Sequence, residues 1–76
     1  MGESDLVLRL ERSLPGGEWD QVAKEMTGVP GVRAVGPVAR PQGRLLHVRF
    51  DPAHLAPSGV AEAAGALGHS ARVAAL

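Results

Sequence analysis

Apolar and polar residues alternate through "DLVLRLE", so Leu6, Leu8 and Leu10 share one face and Val7, Arg9 and Glu11 the other. That period of two is what a strand with one buried face requires. "SLPGGE" interrupts it with Pro15, Gly16 and Gly17, all turn formers. From Glu18 the period lengthens: Trp19, Val22, Ala23 and Met26 stand at i, i+3, i+4 and i+7, one apolar stripe on a short helix. Glu18 and Asp20 fall in its first turn, where carboxylates complement the positive end of the helix dipole. Gly28 is expected to stop the helix by taking left-handed backbone.

"VRAVGPVA" reads as a second strand, in which Pro37 implies an edge, a bulge or an early end because it cannot donate to a ladder. "RPQGR" is a hairpin-sized turn. "LLHVRF" is the clearest strand, with Leu46, Val48 and Phe50 inward and Leu45, His47 and Arg49 outward. After the connector "DPAHLAPS", with Ser58 as the expected N-cap, Val60, Ala63, Ala64 and Leu67 form the apolar side of a second helix. Gly68 ends it, and "SARVAAL" is the last strand. The order strand, helix, strand, strand, helix, strand predicts an α+β domain spanning residues 1–76. Its architecture is a ferredoxin-like βαββαβ sandwich, a four-stranded antiparallel sheet with both helices on one face.

Charge and composition then exclude several functions. The 8 basic residues balance the 8 acidic ones, so no net field draws nucleic acid or a membrane surface. No apolar run approaches the ~20 residues of a membrane span, and no basic-then-apolar leader opens the chain, which makes the cytoplasm the expected compartment. The Ala, Gly, Val, Arg and Pro bias suits a bacterial, high-GC source. With one Trp, one Phe and no Tyr, the open sheet face lacks the stacking aromatics of an RNA reader. "LPGGE" is no phosphate loop, because no Lys and Ser or Thr follow the glycines and Glu18 would repel phosphate. No Ser, His and Asp set forms a nucleophilic arrangement, so an enzyme is not expected. Zero cysteines exclude disulfides, thiolate metal sites and cysteine nucleophiles at once.

"VPGVRAV" and "LGHSARV" carry a resemblance to the heavy-metal-associated domains of copper chaperones, mercury-binding proteins and P-type ATPase amino termini. The first stands where that family has its V-x-G-V turn, and the second where it has a Gly-aromatic step before the last strand. The resemblance covers nearly the whole chain and implies a metal loop after strand one, G-M-T-C-x-x-C. Counting back from "VPGV" without a gap puts Pro15 and Glu18 at the two cysteine positions. Arg12, Ser13 and Leu14 replace the Gly, Met and Thr before them. Soft ions need sulfur; proline has no side-chain donor and glutamate is a hard one. The scaffold matches and its ligands do not.

A harder site for zinc or nickel from Glu18, Asp20 and His69 is the alternative, His69 lying where some relatives place an extra ligand. Structural zinc sites usually use four ligands, so the weight falls on Glu18 and Asp20 serving the helix dipole and His69 facing solvent. No cofactor is expected. His47 and His54 read as solvated surface. Trp19 serves core packing or, as an interface aromatic, anchors a partner. The expected partner is another protein or a second copy, with no nucleic acid and no membrane insertion. A small-molecule regulatory domain similar to the ACT family stays open through the composition of "SLPGGE".

Overall fold

The computed structural model describes residues 2–12, 18–38 and 44–76. Its elements are β1 (Ser4–Leu10), α1 (Glu18–Thr27), β2 (Val32–Pro37), β3 (Leu45–Phe50), α2 (Pro57–Ala66) and β4 (Ala71–Ala75). They form one antiparallel sheet in the order β2-β3-β1-β4. Each helix therefore links parallel strands that have another strand between them, the interleaved ferredoxin-like path expected from the element order. The alternation in β1 and β3 sends Leu6, Leu8, Leu10, Leu46, Val48 and Phe50 to one side. There they form a single core with Val22 and Met26 of α1, Val32 of β2, and Val60 and Ala64 of α2. Both helices share that core, so both cover the same face. Pro37 sits on edge strand β2, opposite Leu46.

Some local expectations need correction. Gly28 follows the last residue of α1, but its φ is not positive; among the described residues the left-handed ones are Gly31 (φ 95) and Gly68 (φ 93). The chain leaves α1 through shortened turns, with Gly28 N–H bonding Glu25 O at 3.2 Å and Val29 N–H bonding Met26 O at 3.0 Å. Reversal comes later, in "VPGV", where Val32 N–H donates to Val29 O at 3.0 Å. Proline second and a positive-φ glycine third are the residues a type II turn demands.

Ser58 does not cap α2. Ala56 holds that position in extended conformation with no side-chain cap, and Pro57 opens the helix, where its missing N–H costs nothing. Leu67, assigned to the core stripe, is the C-cap and is 36% exposed. Its place is taken from the other end. Leu55, one residue before the cap, packs against the core from the staple position relative to Val60, and Gly59 leaves room for it. The second strand ends at Pro37 rather than Ala39, and the last begins at Ala71. Residues 39–43, most of the "RPQGR" turn, lie outside the described residues.

Candidate functional site

One end of the sandwich gathers the end of β1, the start of β3 and the turn from α2 into β4. Leu10 N–H donates to Arg44 O at 2.7 Å, and Glu11 N–H donates to Ser70 O at 3.0 Å. The α2–β4 turn is a Schellman motif: His69 N–H reaches Ala64 O at 2.9 Å and Gly68 N–H reaches Gly65 O at 3.0 Å, with Gly68 left-handed. That motif fixes where His69 can point.

His69 is half-buried rather than freely solvated. Its side chain is 24% exposed, and Nε2 lies 3.2 Å from Glu25 Oε1 on α1. Glu18 and Asp20 stay exposed in the first turn of α1. Among the described residues no three His, Cys, Asp or Glu side chains come together as an ion site, so Glu18, Asp20 and His69 are not assembled into one. Ser13 and Pro15 lie outside the described residues. Trp19 is partly buried and packs against the core. No helix among the described residues is long and apolar enough to cross a membrane.

The Glu25 carboxyl is held below its ordinary value of 4.5, first by the hydrogen bond from Gln21 and then by His69. A carboxylate lowered on folding stabilises the fold above its unfolded pKa and loses that contribution as pH falls through the folded value. The wild-type melting temperature should therefore fall on acidification below pH 4.5 more steeply than that of Glu25→Gln. Parallel curves in a calorimetric pH series would show that the pair contributes nothing.

The open sheet face carries a second, larger constellation. Arg33 lies 3.7 Å from Glu3 and 3.4 Å from Asp51. Arg49 lies 3.7 Å from Glu3 and 3.2 Å from Asp5. His47 adjoins Asp5 at 3.6 Å, and His54 adjoins Asp51 at 3.0 Å. The Asp51 carboxyl is lowered chiefly by the Ala53 N–H bonded to Oδ1 at 2.9 Å, then by His54. These pairs are exposed to solvent and its screening, so each contributes little to stability. Together they set three carboxylates beside the two arginines of that half of the face.

The other half differs. Arg9 and Arg72 are register partners across β1 and β4. With Leu10, Glu11 and Arg44 they line a cavity of about 590 Å³ at the end of the sheet. Periodicity placed Arg9 on the open face but could not place Arg44 or Arg72 beside it. Nor could it pair His69 with Glu25, because both groupings depend on which strands and helices become neighbours.

No protein-family model matches the sequence, and no curated protein matches it. Solved structures do match. Oxidized MerP from Ralstonia metallidurans CH34 superposes with a TM-score of 0.79 at 20% identity, covering 96% of this chain and 99% of that one. The N-terminal domain of a potential copper-translocating P-type ATPase from Bacillus subtilis, in its Cu(I)-loaded state, gives 0.75 at 17% identity, covering 99% and 90%. The N-terminal soluble domains of Bacillus subtilis CopA give 0.73 at 16%, covering 90% of this chain and 45% of that one. The chain has the fold of heavy-metal-associated domains.

On that fold the donor set does not fit a soft ion. The chain has no cysteine. Of its two methionines, Met1 lies outside the described residues and Met26 is completely buried among core side chains. A thioether sealed in the core cannot ligate an ion at the surface. The fold is present here in a chain that has no cysteine.

Proposed function

We propose that this chain is a non-enzymatic domain on a heavy-metal-associated scaffold that has given up soft-metal binding and acts through contact with a protein partner or a second copy. The observation that carries it is the complete absence of cysteine on a fold otherwise well kept. Copper(I) and similar ions take thiolate or thioether ligands, and Pro15 and Glu18 at the expected cysteine positions supply neither. Trp19, partly exposed at the start of α1, is the aromatic assigned to the contact, since Trp is enriched at the centres of interfaces.

Titration with copper(I) against a competing chelator tests the first half. The chelator should keep all of the metal; one equivalent of copper retained by the protein would overturn the reading. Sedimentation velocity over a range of concentrations tests self-association. Because Trp19 is the single tryptophan, its emission reports any contact formed at that end of α1. An unchanged spectrum in a confirmed complex would remove Trp19 from the interface.

A further inference from the structure

The open sheet face divides into two electrostatic halves, and among the described residues only one holds its arginines in ion pairs. Around Arg33 and Arg49, the carboxylates of Glu3, Asp5 and Asp51 lie within 3.7 Å. At the other end, Arg9 and Arg72 stand directly opposite each other on antiparallel strands, and among the described residues neither has a hydrogen-bond or ion-pair partner. Like charges in that relation repel. Among the described residues, Arg44 and Glu11 line the same cavity of about 590 Å³ beside that arginine pair. A cavity that size accommodates a small organic molecule. A guanidinium fork matches the oxygens of a phosphate or carboxylate two at a time.

We propose that the cavity lined by Arg9, Arg44 and Arg72 binds a small multivalent oxyanion, a phosphorylated or polycarboxylate metabolite, whose charge balances the cross-strand arginine pair. The partner of this site is a small molecule rather than a nucleic acid, since no aromatic side chain among the described residues lines it for base stacking. The site is independent of any metal chemistry and stands or falls apart from the copper test.

Amide NMR titrations with inorganic pyrophosphate and with citrate, at ionic strength held constant with sodium chloride, test it. Saturable shifts are expected at Arg9, Leu10, Glu11 and Arg72, and the arm that saturates at lower concentration identifies phosphate or carboxylate as the better group. Arg9→Gln and Arg72→Gln should each weaken binding by roughly tenfold, the loss of one charge-assisted contact. Arg33→Gln and Arg49→Gln, on the ion-paired half, should change it by less than about twofold, because the screening length is about 10 Å. Linear, unsaturated shifts in both arms would overturn the proposal, as would equal weakening by the control variants. A response confined to an oligonucleotide or an acidic peptide would also overturn it. Without ligand, Arg72→Gln should melt no lower than wild type, since it relieves the repulsion; a lower melting temperature would remove the premise.

Discussion

Replacing Phe50 with alanine should remove about 3–5 kcal/mol of stability, the usual cost of deleting a buried aromatic and leaving its cavity. Phe50 is the largest of the fully buried side chains, 1% exposed. It ends β3 and lies opposite both Ser4 of β1 and Val32 of β2, so no single element can close over the space. A chain of 76 residues has a total stability of about 4–11 kcal/mol by the general per-residue scaling. The variant should therefore lose about a quarter of it or more. Urea unfolding followed by circular dichroism measures this. An unfolding free energy within about 1 kcal/mol of wild type at unchanged slope would mean that Phe50 is not the keystone of the core. Phe50→Leu, which keeps most of the volume, should cost distinctly less.

Gly31→Ala is expected to be the most costly single change in a turn. Its φ of 95° lies where an L-residue costs about 1–2 kcal/mol. Space is short as well: an added Cβ would sit 3.1 Å from His54 Cβ and 3.2 Å from Leu55 Cβ. Both are stem atoms next to backbone, so they move only if the loop moves. That loop is held. Asp51 N–H donates to Gly31 O at 2.8 Å, and Asp51 O accepts from His54 and Leu55 N–H at 3.0 and 3.1 Å. The combined cost should reach about 2–3 kcal/mol. Gly68→Ala supplies the comparison, because Gly68 has nearly the same φ, 93°, with nothing within 4 Å of the added carbon. It should show the backbone cost alone. Equal losses in the two variants would mean that the β3–α2 loop yields freely and that close packing at Gly31 has no energetic weight.

Much of this was legible in the chain. Strict alternation identified the buried faces of β1 and β3 to the residue, because a strand's faces repeat every second position. The stripe on α1 identified Val22 and Met26 for the equivalent reason. Helix ends were less legible. Gly28 and Gly31 both follow α1, and either composition rule admits a left-handed residue there. The Pro30 before Gly31 decided it, by favouring a type II turn whose third residue must take positive φ. Ser58 looked like a cap because its hydroxyl suits one, yet Pro57 is fit for the first helical position and moved the start back to Ala56. Leu55, just before that cap, packs against the core, whereas Leu67 at the far end is exposed.

The sequence by itself determined the sandwich, its core strands and the impossibility of a thiolate site, since periodicity and the absence of an atom type need no coordinates. Only the folded structure decided that His69 meets Glu25 and that Arg9 meets Arg72. Both meetings follow from strand order and a helix cap, which bring together residues far apart along the chain. A residue's own periodicity says which way it faces; what stands opposite depends on how all the elements pack.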